Sequence, residues 1–230
     1  MGWKLFAVVV ENAQYANDLT VLNALGYTSL NKSADLPFEE ASYPDEHKLY
    51  IGRYKNHLII CSAELPLHFL GRTQSPTEAR LRRLFPGSDI AAFVLHSAIN
   101  LWGYAVWEQG KKIRVRAGSA ESDEIVEAGD PLLEEYKLVS RAFVNEKGQR
   151  MYYGAREMDE PLTEHQMGEE FVFRVWARYF GVSPENDPEL MRFEMEGYAV
   201  EEFTRADMKA ARKEAKSHRE KKWWQFWKRK

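Results

Sequence analysis

His96 and Ser97 are the first residues in this chain that could do chemistry together, a base next to a hydroxyl. Nucleophilic catalysis needs the base within hydrogen-bond reach of the hydroxyl and a third group to orient the base. Neighbours on a strand point to opposite faces, so both residues are expected to be structural, with His96 satisfied by a hydrogen bond. The alternative is a hydrolase-like enzyme with its site near His96. The carboxylates Glu121, Asp123, Glu124, Glu127 and Asp130 offer the oxygen ligands that a hard cation takes. They lack the Asp/Asn-Gly spacing of a calcium loop, and they read as a solvated acidic face. His165 and Glu169 stand four apart on one helical face, with no second histidine at metal-binding spacing. The chain has no Gly-rich phosphate loop, no cysteine pair and no Gly-x-Ser-x-Gly elbow. The expectation is therefore no metal, no cofactor and a binding protein in preference to an enzyme.

A second kind of chemistry lies in the final ten residues, KKWWQFWKRK. On a helical wheel at about 100° per residue, Phe226, Trp223, Trp227 and Trp224 fall at about 300°, 0°, 40° and 100°, while Lys221, Lys222, Lys228 and Arg229 fall between about 140° and 260°. Aromatics thus occupy one face and most cations the other. Indole rings favour the headgroup region of a bilayer, and each nearby cation gains about 1 kcal/mol from an anionic leaflet. The pattern is that of a short interfacial anchor, with docking on a protein partner as its rival. Single-stranded nucleic acid would also stack on Trp, but the charge of the rest of the chain opposes it. Residues 204–230 hold eleven Lys/Arg against three acids, a net of +8, and since the whole chain carries −3 the remainder carries −11. Such a body repels a polyanion, and the split marks the tail as an interaction arm.

The elements that must position these residues follow from the pattern along the chain. With 44% hydrophobic and 29% charged residues, the body has the composition of a folded domain and lacks that of a disordered one. The single cysteine, Cys61, lies in an apolar run, excludes an internal disulfide and is expected in the core of a cytoplasmic protein. The opening MGWKLF is too short for a secretory segment, and Phe6 stands where a myristoylation motif needs Ser or Thr. A strand is expected at 3–10, a helix from about Ala13 to Leu25 closed by Gly26, and a loop over 31–47. Residues 47–61 read as a hairpin around Lys55-Asn56. Ser75-Pro76-Thr77-Glu78 combines an N-cap, a helix-starting proline and a capping-box glutamate.

Residues 90–107 carry no formal charge and are long enough to raise a membrane span, but His96, Ser97, Asn100 and Gly103 would need partners in hydrocarbon. Two buried strands meeting at a bend are expected instead. Ile113-Arg114-Val115-Arg116 alternates apolar and basic residues, which predicts one exposed face. Thr163-Glu164-His165-Gln166 is a second capping box before a helix over about 164–179 that closes at Gly181. A last strand is expected within 191–203, followed by a long polar helix capped by Thr204.

Several segments in order resemble an uncharacterised bacterial domain family of unknown function. They are Met1-Gly2 with Lys4, Leu49-Tyr50-Ile51-Gly52, Leu95-His96-Ser97-Ala98-Ile99 running on to Gly103-Tyr104-Ala105-Val106-Trp107-Glu108-Gln109-Gly110, Gly129-Asp130-Pro131-Leu132 with Glu134, and Gly168-Glu169-Glu170. The resemblance covers most of residues 1–200 and is strongest at 95–110. It implies one continuous domain and supplies no catalytic residues; residues 139–161 and the tail depart from it.

The sequence reading is an α+β protein, mainly an antiparallel sheet with flanking helices, comprising a single domain over 1–203 and a basic, Trp-rich amphipathic helix over 204–230. Its expected function is a non-enzymatic binding or scaffold protein, cytoplasmic and peripheral at the inner face of the membrane. The expected contact residues are Lys221, Lys222, Trp223, Trp224, Phe226, Trp227, Lys228 and Arg229, set against an anionic membrane surface or a partner protein.

Overall fold

A computed structural model describes residues 2–13, 17–27, 29–122, 124–153 and 160–200. Strand β1 (Lys4–Val10) is buried at every position after Lys4, as expected of a strand covered on both faces. Helix α1 (Asp18–Leu25) begins later than Ala13 because Asn17 caps it, its side chain accepting from Thr20 N at 3.3 Å. Gly26 closes it in the left-handed region. The expected loop at 31–47 instead holds β2 (Leu30–Lys32), β3 (Leu36–Pro37) and the short helix α2 (Phe38–Ala41). Both strands pair with a strand at the far end of the described chain, a partnership invisible to any local pattern.

The hairpin forms as expected from β4 (Lys48–Tyr54) and β5 (His57–Ser62), with Lys55 and Asn56 both at positive φ, as a type I′ turn requires. Helix α3 (Pro76–Leu84) carries the capping box, with Glu78 N donating to Ser75 Oγ at 3.2 Å and Ser75 N to Glu78 Oε2 at 2.5 Å.

The uncharged stretch is two buried strands, β6 (Ile90–His96) and β7 (Leu101–Glu108), joined by a 3₁₀ turn at Ser97–Ile99. No helix among the described residues is long and apolar enough to cross a membrane. Then come β8 (Lys111–Ser119), β9 (Glu124–Ala128), α4 (Leu133–Val139), β10 (Ala142–Val144), β11 (Arg150–Tyr152) and β12 (Leu162–Thr163). Thr163 and Gln166 do bond reciprocally, Thr163 N to Gln166 Oε1 at 2.8 Å and Gln166 N to Thr163 Oγ1 at 3.4 Å. They brace a turn, however, and α5 (Gly168–Phe180) starts at Gly168 and not at Glu164. Gly181 closes α5 as expected; α6 (Pro188–Arg192) and the final strand β13 (Glu194–Val200) follow.

The main sheet is antiparallel throughout, in the order β2-β13-β4-β5-β1-β6-β7-β8-β9, with β3 on β13. Its alternating side chains feed two cores. Phe6, Val8 and Val10 pack with Val21, Leu22 and Leu25 of α1 and Leu81 of α3. Leu5, Ala7 and Val9 share the opposite face with Phe171, Val172, Val175 and Trp176 of α5, where Cys61 also lies. Burying each large apolar side chain of α5 contributes about 1.5–3 kcal/mol, so this helix is the main fastener of that face. A small sheet, β10-β11-β12, stands apart from the main one. This is the expected α+β class with helices on both faces. The expected helix at 204–230 lies outside the described residues.

Candidate functional site

Arg114 and Arg116 overturn the expectation of an exposed face on β8: they are 1% and 0% exposed. The alternation is real, but α4 and α5 cover the side it points to, so the charged side chains are held inside by acids brought from elsewhere. Arg114 donates from Nε and Nη2 to the two Glu135 oxygens at 2.8 and 2.7 Å, and from Nη2 to Glu127 at 2.7 Å. Its Nη1 reaches Gly129 O at 2.7 Å. Gly129 has φ +80°, and a Cβ there would lie 1.9 Å from Ile113 O, so only glycine brings this carbonyl in. Arg116 donates from Nη1 to Glu135 at 3.3 Å and from Nη2 to Tyr152 Oη at 2.7 Å and to Glu164. Its guanidinium sits 4.0 Å over the Phe171 ring centre.

Three acids thus share two buried guanidiniums, with the exposed Arg150 reaching Glu127 at 3.4 Å, and the protonation of Arg116, Tyr152 and Glu127 follows from their surroundings. Burial works most strongly against the charge of Arg116, but Glu164, Tyr104, Tyr152 and Glu127 together outweigh it and hold the guanidinium above its ordinary value. Burial pushes the Tyr152 phenol up to about 12, so it keeps its proton and donates to Glu164 Oε2 at 2.5 Å. Burial raises Glu127 as well, but the Arg114 bond together with the charges of Arg116, Arg114 and Arg150 outweighs it and keeps this carboxyl below its usual range. Glu127, expected on a solvated acidic face, is therefore an ion-pair partner. Glu135 also accepts from Leu132 N at 3.2 Å, which ties the start of α4 to the network.

A cavity of about 480 Å³ lies where the ends of β6 and β7 meet α4, the turn before α5 and the first turns of α5. The buried network reaches its wall, because Tyr152 and Glu164 are the chain neighbours of lining residues Tyr153 and His165. Trp102 forms another part of the wall, 1% exposed and stacked on Phe171 at 5.9 Å. Gly168 lets α5 start flush against it, since a Cβ there would lie 2.1 Å from Trp102 Cγ. Ser97 Oγ meets Trp3 O at 3.2 Å and the Glu169 carboxylate.

As expected, the structure keeps His96 and Ser97 apart, and it unites another set. His96 turns away, its ring 5.5 Å from Tyr43, which packs on the other core. Ser97, considered apart from His165 and Glu169 in the sequence, lines the same cavity as both. His165 does so from the turn before α5, not from the helical face it was expected to share with Glu169. The contact residues expected at 221–229 lie outside the described residues. Sequence reasoning missed Lys137, Arg141, Trp102 and Tyr153 as lining residues, together with the Arg114–Arg116 network. The one available signal was the basic pair in β8 set against the acids that follow it.

The fold and site define an α+β protein with a doubly covered antiparallel sheet, a buried guanidinium–carboxylate network and, beside it, a cavity lined by both apolar and charged side chains. Residues 13–144, more than half of the chain, match a model described as "Family of unknown function (DUF6928)", and the chain belongs to that family. The match takes in α1 to β10, including Arg114, Arg116, Glu135, Lys137 and Arg141, and ends before Tyr152, Glu164, His165 and Glu169. No curated protein and no solved structure matches the chain.

Proposed function

We propose that this chain is a non-enzymatic binding protein, its domain over 1–203 holding a small molecule in the cavity and its tail over 204–230 attaching it peripherally to an anionic membrane surface. The observation that carries the attachment is the charge split, +8 on the tail against −11 on the remainder, with four aromatics interleaved among the terminal cations. A cytoplasmic setting at the inner face of the membrane fits an anionic leaflet and a lone buried cysteine. The binding role is supported by a cavity within the range of small-molecule sites, about 300–1,000 Å³.

Co-sedimentation with anionic and neutral vesicles, comparing the full chain with a truncation after Phe203, tests the attachment. Salt-sensitive binding to anionic vesicles that the truncation loses is expected. Absence of binding by the full chain removes the membrane and leaves docking on a protein partner.

One observation favours an enzyme: the Ser97 hydroxyl meets a carboxylate inside a cavity that a histidine also lines. On that reading Ser97, not His96, is the reacting group, and a fluorophosphonate probe would label the full chain but not Ser97→Ala.

A further inference from the structure

The body carries −11 and repels an anionic leaflet as a whole, so only a locally different side of it can approach one. The surface of α4 and the β10–β11 hairpin is such a side. Leu133 and Tyr136 on α4 are 82% and 66% exposed and Tyr153, just after β11, is 50% exposed, three of the seven large apolar side chains left exposed among the described residues. Leu133, Lys137 and Arg141 follow at four-residue steps along one side of α4 and its end, with Tyr136 beside them. Lys137, Arg141 and Tyr153 meet on the cavity wall, and Tyr153 stacks on Phe143 of β10 at 4.7 Å. The acids of α4 are turned elsewhere, Glu134 to Arg178 at 3.1 Å and Glu135 to the buried Arg114. The hairpin tip carries one charge of each sign, Glu146 and Lys147. Exposed cations alone would be ordinary solvated charges, but aliphatic and aromatic side chains joined to them in one patch mark a contact surface. Tyrosines among lysines and arginines suit the headgroup region of an anionic bilayer, as does the mixture in the tail.

The tail departs from the same end of the sheet. Val200 pairs with Leu30 at the end of β13, and the pairs Ala199–Lys48, Leu49–Ser62, Lys4–His96 and His96–Leu101 carry that end across to β6 and β7, where the cavity lies. Four strand spacings separate β13 from β6, about 19 Å. The 30 residues after Val200 would span about 45 Å even as a helix, enough for tail and patch to meet one plane. We infer that Leu133, Tyr136, Lys137, Arg141 and Tyr153 form a second contact with an anionic bilayer, which turns the cavity toward the lipid. This rests on the reading of the tail as a membrane attachment.

Site-specific labelling decides the matter, because Cys61 is buried and a single introduced cysteine can be modified alone. A polarity-sensitive nitrobenzoxadiazole is attached to the full chain at Leu133→Cys, at Tyr153→Cys or, as a control across the sheet, at Leu19→Cys on the exposed side of α1. Vesicles of phosphatidylglycerol and phosphatidylcholine are expected to shift the emission to the blue at 133 and 153 and to leave it unchanged at 19. Lys137→Ala/Arg141→Ala is expected to weaken co-sedimentation of the full chain with these vesicles about tenfold or more. The exposed pair on the α3 side, Arg72→Ala/Arg83→Ala, should change it less than about twofold. Unshifted emission at 133 and 153 in a chain that sediments overturns the inference and leaves the tail as the sole anchor, and a shift at all three positions overturns it too. A shift at 133 and 153 that persists after truncation at Phe203 upholds the patch and refutes the tail. A full chain that does not sediment overturns both.

Discussion

Removing the positive charge at position 116 should cost far more stability than removing the negative charge at position 135, although both side chains are 0% exposed and bonded to each other. The reason is which buried group loses its charged partner. Arg114 and Arg116 face Glu127, Glu135 and Glu164, and the exposed Arg150 reaches Glu127 at 3.4 Å. Glu135→Gln preserves volume and leaves each buried guanidinium an acid, Glu127 or Glu164. It exchanges charge-assisted bonds for weaker ones, a loss of about 2 kcal/mol. Arg116→Met removes the guanidinium that bonds Glu164 and leaves this buried carboxylate the Tyr152 hydroxyl. A buried charge without its partner costs about 3–5 kcal/mol, and the loss of the Phe171 contact adds to that. Urea unfolding at pH 7, monitored by tryptophan fluorescence and extrapolated linearly to water, measures both. The expected order is Arg116→Met well below Glu135→Gln. If Glu135→Gln proves equally or more destabilising at an unchanged denaturant slope, loss of a buried charge's partner does not govern this network and the reasoning fails.

Two other perturbations test the packing. Burial pushes the Glu78 carboxyl up to about 7 even though Lys112 Nζ lies 2.6 Å away. The fold thus prefers the protonated acid: the contribution is complete below the unfolded value near 4.5 and is lost as pH rises through about 7, a change of about 3 kcal/mol. Glu78→Gln can retain the bond from Ser75 N, so the stability of the wild type relative to this variant should fall by about 3 kcal/mol between pH 4.5 and 8; a flat difference would show that the Lys112 pair dominates. Gly168→Ala would drive a Cβ to 2.1 Å from Trp102, whose ring is stacked on Phe171 and has little room to yield. A loss of about 1–3 kcal/mol with altered tryptophan emission is expected, and wild-type stability would show that α5 can move off the wall.

Much of the architecture was legible because its causes are local. The type I′ turn at Lys55-Asn56, the Ser75 capping box, the glycine stops at 26 and 181 and the two strands on either side of residue 97 each follow from the conformational preferences of a few adjacent residues. The segment at 31–47 was misread because β2 and β3 exist only by pairing with β13, more than 150 residues on. The start of α5 was misplaced for a related reason: the reciprocal bonds of Thr163 and Gln166 are as described, but contact of Gly168 with Trp102 sets where the helix begins.

The candidate site divides along the same line. Composition and spacing by themselves determined the α+β class, the absence of familiar catalytic motifs, and a tail whose charge opposes that of the body. An apolar-basic alternation cannot say which of its faces is covered, because the period of two is identical whether water or α4 lies opposite. Only the tertiary structure decided that Arg114 and Arg116 point inward, since their acids come from β9, α4 and the turn before α5. Only it decided that Ser97 looks to Glu169 across 72 residues, whereas the separation of Ser97 from His96 was already expected from the sequence. A cavity is a property of surfaces that meet in space, and its lining residues carry no shared mark along the chain.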